Sequence, residues 1–128
     1  MELETNKKVR GKKILIVDDE RDLLDVLATR FRANGYETVT AENGAEGLKV
    51  WQEEKPDLIV LDIMMPGMDG YTFLQELKTI DNINPIPIIM LTAKQDMEEI
   101  FQVEGVAAYM TKPFDTEELL GKIADLLK

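Results

Sequence analysis

The chain contains neither cysteine nor histidine. Without cysteine there is no disulfide, no thiolate metal site and no cysteine nucleophile, and a cytoplasmic location is the expectation that fits. Without histidine as well, zinc sites built on imidazole or thiolate are excluded. Any step that needs an imidazole must take it from a partner. No apolar run approaches the length of a membrane span, and no signal-peptide pattern is present, so no membrane association is expected. Positive charge is also scarce: 15 Lys and Arg stand against 25 Asp and Glu, a net charge of −10. Such a surface repels nucleic-acid phosphates and favours cations and basic protein surfaces, so direct nucleic-acid binding is not expected.

What is present is an ordinary globular composition, 45% hydrophobic and 31% charged over 128 residues. That length suits one domain with a single sizeable core. Residues 1–12 read as a polar, solvated tail, and 13–128 as the folded domain. Strand-like and helix-like segments then alternate. Lys13–Val17 is a short continuous apolar run, the signature of a strand covered on both faces. Leu23, Leu24, Leu27 and Phe31 mark an amphipathic helix that Asn34-Gly35 stops. Tyr36–Ala41 alternates like a less buried strand. Asn43 can cap a second helix carrying Ala45, Leu48 and Trp51, and Lys55-Pro56 breaks it. Leu58–Leu61 is a second buried strand. Phe73, Leu74 and Leu77 suggest a third helix, Ile86–Leu91 another strand, residues 97–103 a short helix, and Val106–Met110 a fifth strand. Asp115 or Thr116 caps a last helix with Leu119, Leu120, Ile123 and Leu127 toward the core. Five strands alternating with five helices predict a parallel sheet wrapped on both faces.

In open sheets of this kind, ligands bind outside the carboxyl ends of the strands. Asp18, Asp19 and Glu20 follow the first strand, and Asp62 follows the Leu58–Leu61 run. Thr92 follows the fourth strand. Thr111 and Lys112 follow the fifth. Each has an ordinary reading alone: an Asp or Glu as a helix cap, a Lys as a loop residue. Together they place carboxylates, a hydroxyl and an ammonium on one sheet edge. Packed carboxylates repel one another, and folding tolerates them best around a cation. With only oxygen ligands on offer, that cation should be hard; Mg²⁺ fits, with Mn²⁺ as an alternative. Metal, ammonium and hydroxyl suit a transferring phosphoryl group, and a carboxylate can be its nucleophile.

Four segments, ILIVDDE, PDLIVLDIMMPGMDG, IPIIMLTA and YMTKPF, occur in an order and at a spacing that resembles the receiver domain of bacterial two-component response regulators. The resemblance implies a flavodoxin-like α/β fold, a five-stranded parallel sheet of order 2-1-3-4-5 with five helices. It implies Asp62 as phosphoacceptor and a metal site of Asp18, Asp19, Asp62 and the carbonyl of Met64, Asp19 binding directly and Asp18 through water. Lys112 would contact the phosphoryl group, and the Lys112–Pro113 bond would be cis. Thr92 would move to hydrogen-bond the phosphate and Tyr109 would swing in behind it. The phosphoryl donor would be a histidine kinase or a histidine phosphotransfer protein. The receiver of an output signal would be a downstream protein target or an output domain absent from this chain. The implied activity is a signalling switch with slow autodephosphorylation, not an enzyme with turnover. One departure stands out: the segment from Thr92 to Tyr109 is shorter than the family's usual version, so the fourth helix is expected to be short or shifted.

Three rival readings fit less well. An Asp-dependent phosphohydrolase would carry a second Asp two residues after the nucleophile, where this chain has Met64. A phosphorylation-independent docking module would typically have lost part of the acid–lysine set. A nucleotide-binding domain would carry a glycine-rich phosphate loop, which is missing. The end of the chain at Lys128 leaves two expectations, a stand-alone regulator or a receiver excised from a longer protein.

Overall fold

The structure, a computed structural model, describes residues 11–63, 70–80, 86–93 and 106–128. Five strands run as β1 (Lys13–Val17), β2 (Glu37–Ala41), β3 (Leu58–Asp62), β4 (Ile88–Ala93) and β5 (Ala108–Lys112). They form one parallel sheet in the order β2-β1-β3-β4-β5, the flavodoxin-like order. Four helices lie among the described residues: α1 (Arg21–Ala33), α2 (Gly44–Glu54), α3 (Gly70–Ile80) and α4 (Thr116–Leu126). The additional helix expected over residues 97–103 lies outside the described residues, as do residues 1–10 and Met64.

The continuous apolar runs are explained by burial on both faces. Successive side chains of a strand point to opposite faces. Ile14, Ile16, Leu58, Val60, Ile89 and Leu91 pack on one side, with Leu24, Leu27 and Phe31 of α1 and Leu119, Leu120 and Ile123 of α4. Leu15, Val17, Ile59, Leu61, Ile88 and Met90 pack on the other, with Trp51 of α2 and Phe73, Leu74 and Leu77 of α3. Each fully buried side chain of this size contributes about 1.5–3 kcal/mol. The core therefore holds the strand ends rigidly.

Local chemistry sets the element boundaries. The Asn43 side chain accepts from the Glu46 amide at 2.8 Å and caps α2. Lys55 ends that helix in the left-handed region, φ 49°, and Pro56 follows. Gly35, at φ 93°, makes the turn after α1, a conformation that costs glycine least. Of the two caps considered for α4, Asp115 is the one used; its carboxylate accepts from the Glu117 amide at 2.8 Å.

The bounds of four strands differ from expectation, β3 running one residue further, through Asp62. Tyr36 is not part of β2: its amide bonds to the Phe31 carbonyl at 3.2 Å and completes the α1 turn, although its ring is buried. β4 begins at Ile88 and extends through Thr92 and Ala93, and β5 begins at Ala108 and extends through Thr111 and Lys112. The apolar runs stop before the ladder does. Thr92 still pairs with Thr111 and Ala93 with Lys112. A residue before proline favours extended backbone, which keeps Lys112 in the strand, and Pro113 lacks the amide that would continue it. Thr92 and Lys112 are thus strand residues and not loop residues.

Candidate functional site

The central position of β1 and β3 brings the acidic residues together. Val17 pairs with Leu61, so Asp18 directly after β1 meets Asp62 at the end of β3. Carboxylate oxygens of Asp18, Asp19 and Asp62 all lie within 4.8 Å of one another. Asp18 is 0% exposed and Asp62 5%, while Asp19 faces solvent. The three residues supply oxygen ligands of suitable spacing for a hard divalent cation, with one open flank at Asp19. This fits the cation expected from the sequence.

Lys112 reaches the same cluster from the far edge of the sheet. Its Nζ donates to Asp18 Oδ2 at 3.1 Å and lies 3.5 Å from Glu20 Oε1 and 3.6 Å from Asp62 Oδ2. Burial works against its charge, but the attraction of Asp18, Asp62 and Glu20 outweighs burial and lifts the ammonium above its usual pKa. The Asp18 carboxyl is pushed up, chiefly by burial. The Glu20 amide, which donates to Asp18 Oδ1 at 2.9 Å, and Lys112 act in the opposite direction. A buried carboxylate held by one amide and one ammonium is a strongly constrained group. Asp18 is also tied through its backbone, its amide donating to the Ala41 carbonyl at 3.1 Å.

Thr92 is fully buried in β4, one residue beyond the Asp62–Leu91 pair. Tyr109 pairs with Met90, is half-buried and packs against the Leu15–Val17–Met90 cluster. It also borders an open cavity of about 230 Å³ with Phe114 and Lys122. The Lys112–Pro113 bond is cis. The structure therefore gathers Asp18, Asp19, Asp62 and Lys112 into one cluster, with Thr92 on the neighbouring strand and Tyr109 farther along the sheet.

Glu20 is a site neighbour whose type and position in the sequence suggest only a helix cap. It occupies the N-cap position of α1, yet its side chain makes no cap hydrogen bond. The Asp18 carboxylate accepts from the Glu20 amide, and the Glu20 carboxylate lies 3.5 Å from the Lys112 ammonium. Nothing in the local pattern signals this, because Lys112 lies 92 positions away in the chain.

The family model described as "Response regulator receiver domain" matches residues 14–124. The chain is 47% identical to the probable transcriptional regulator ycf27 of Cyanophora paradoxa, over 94% of this chain and 50% of that protein. It is 40% identical to the alkaline phosphatase synthesis transcriptional regulatory protein PhoP of Bacillus subtilis, over 92% of this chain and 49% of that protein. The chain thus spans about half the length of these curated relatives. Among solved structures it resembles the response regulator TrrA of Thermotoga maritima, solved in complex with Mg²⁺-BeF, with TM-score 0.80 and 36% identity over 90% of this chain and 98% of that one. No helix among the described residues is long and apolar enough to cross a membrane. The chain belongs to the response regulator receiver domain family of two-component systems.

Proposed function

We propose that this receiver is a phosphorylatable switch in which Asp62 accepts a phosphoryl group from a partner's phosphohistidine. The observation that carries the reading is the Lys112 ammonium within 3.6 Å of Asp18, Glu20 and Asp62 carboxylates at the sheet's carboxyl edge. An Asp62 carboxylate oxygen bonds to phosphorus while the P–N bond to the partner's imidazole breaks, and the electron pair leaves with the nitrogen. Asp18, Asp19 and Asp62 would hold Mg²⁺, or Mn²⁺ in its place, and the Met64 carbonyl, outside the described residues, is the further ligand that the family resemblance implies. The bound cation supplies neutralisation of charge on the phosphoryl oxygens.

The new group carries about −1.5 to −2 charge. Lys112 exchanges its hold on Asp18 for a phosphoryl oxygen, and the Thr92 hydroxyl donates to another. Tyr109 moves toward the space that Thr92 leaves, and the surface around β5 and α4 changes its affinity for a target. This is a local charge event that biases a two-state element. Water later attacks phosphorus, the P–O bond to Asp62 breaks, and the carboxylate is restored. The phosphoryl donor is a histidine kinase or a histidine phosphotransfer protein. The target is a downstream protein or an output domain, and the relatives named as transcriptional regulators support an output at DNA made outside this chain.

The test is intact mass after incubation with Mg²⁺ and a small phosphodonor, with and without chelator, beside Asp62→Asn. A single Mg²⁺-dependent phosphoryl adduct absent from the variant is expected. Free phosphate is read in the same tubes, so that rapid hydrolysis is not mistaken for inertness. If Mg²⁺ binds and neither adduct nor phosphate forms, phosphorylation-independent docking is the better reading.

A further inference from the structure

We propose that Glu20 is a positioning residue: it holds Lys112 in the resting state and so sets how readily the site takes up a phosphoryl group. The inference rests on the receiver reading above. Two independent observations support it. Ser, Thr, Asp and Asn are the side chains that usually cap a helix start; Glu20 stands at the N-cap of α1, and its side chain makes no cap hydrogen bond that would hold it there. Its carboxylate lies instead 3.5 Å from Lys112 Nζ.

The three acidic partners of Lys112 differ in where they stand. The Asp18 and Asp62 side chains are 0% and 7% exposed, whereas that of Glu20 is 62% exposed. Glu20 therefore covers the ammonium from the solvent side. An anionic phosphoryl group reaches Lys112 from that side, and two effects oppose it. It competes with Glu20 for the same ammonium, and it meets the negative charge of Glu20. The positive end of the α1 dipole favours keeping that charge in place. Because the Glu20 side is exposed, the effect is that of a solvated ion pair, about two- to fivefold in an equilibrium or a rate. It should also be screened by salt.

The test compares the full chain with Glu20→Gln and Glu20→Ala, at Mg²⁺ concentrations shown to be saturating for each. The first readout is beryllofluoride affinity, followed by thermal melting at increasing fluoride and beryllium. The second is the rate of adduct formation from acetyl phosphate, at low and at saturating donor. Both variants should bind beryllofluoride about two- to fivefold more tightly and react faster by a similar factor at low donor. The rate at saturating donor should change less. The difference should close near 1 M salt, where the screening length falls to about 3 Å. Equal or weaker binding in the variants overturns the proposal. So does a difference that persists at high salt, because a repacked helix start is not screened. If the unaltered chain neither binds beryllofluoride nor takes up phosphoryl, the receiver reading itself fails and the role of Glu20 falls with it.

Discussion

Replacing Lys112 by Met should destabilise the metal-free fold by about 2–4 kcal/mol, because it takes the ammonium away from the buried carboxylates of Asp18 and Asp62. The Lys112 ammonium lies 3.1 Å from Asp18, 3.5 Å from Glu20 and 3.6 Å from Asp62. At an effective dielectric of about 20, each such contact is worth roughly 5 kcal/mol before any opposing cost. Burying the ammonium offsets much of that attraction, and the exposed Glu20 contact is screened. Removing one partner of a buried pair typically costs about 3–5 kcal/mol. The lower range here follows from the 22% exposure of the Lys112 side chain. Methionine keeps most of the apolar stem, so the loss reports charge more than packing. The assay is urea unfolding followed through Trp51, the single and buried tryptophan. It is run in chelator and again in Mg²⁺. A ligand at 100 times its Kd stabilises by about 2.7 kcal/mol. The Mg²⁺ increment should be larger in Lys112→Met than in the unaltered chain, because in the variant the metal no longer competes with the Lys112 ammonium for Asp18 and Asp62. A variant within about 0.5 kcal/mol of the parent in chelator, the usual range for an unimportant surface change, refutes this account of the cluster. An identical Mg²⁺ increment in the two proteins refutes it as well.

Two further outcomes follow from packing and from burial. A Cβ added at Gly47 would stand 2.9 Å from Phe73 Cε2 and 3.1 Å from Val17 Cγ2, so Gly47→Ala should lower the melting temperature. Overpacking costs about 1–3 kcal/mol, against a gain of up to about 1 kcal/mol in helix propensity, and a rise in melting temperature would show that α2 can shift away from β1 and α3. Tyr36 is buried, and burial pushes its phenol pKa up, so the unfolded chain releases this proton more readily than the folded one. Its contribution to stability is therefore constant below about pH 10 and is lost as pH rises through the higher folded value. Chemical denaturation across the alkaline range should show a shallower fall for Tyr36→Phe than for the parent, and an unchanged slope would mean that the ring is hydrated at high pH.

Much of the fold was legible because its signals are local. Continuous runs such as Leu58–Leu61 announce strands covered on both faces, and all four of those residues are buried. The 3.6-residue spacing of Leu24, Leu27 and Phe31 announces a helix face, and that face is the one packed on the sheet. Boundaries were less legible where hydrogen bonding and side-chain character diverge. Thr92 and Lys112 are polar and yet lie within the ladder, because strand pairing is a property of backbone amides.

By itself, then, the sequence determined the alternation of elements and which chemical groups stand at the strand ends: Asp18, Asp62, Thr92 and Lys112. Both are matters of short-range pattern. Only the tertiary structure decided which groups touch. The order β2-β1-β3-β4-β5 puts β1 beside β3 and so Asp18 beside Asp62. It also brings the Lys112 ammonium to Asp18 across 94 positions of chain. The direction taken by the Glu20 carboxylate belongs to the same class. A residue at a helix start has a local choice between its own amides and a distant ammonium, and the choice is settled by where the packed sheet delivers that ammonium.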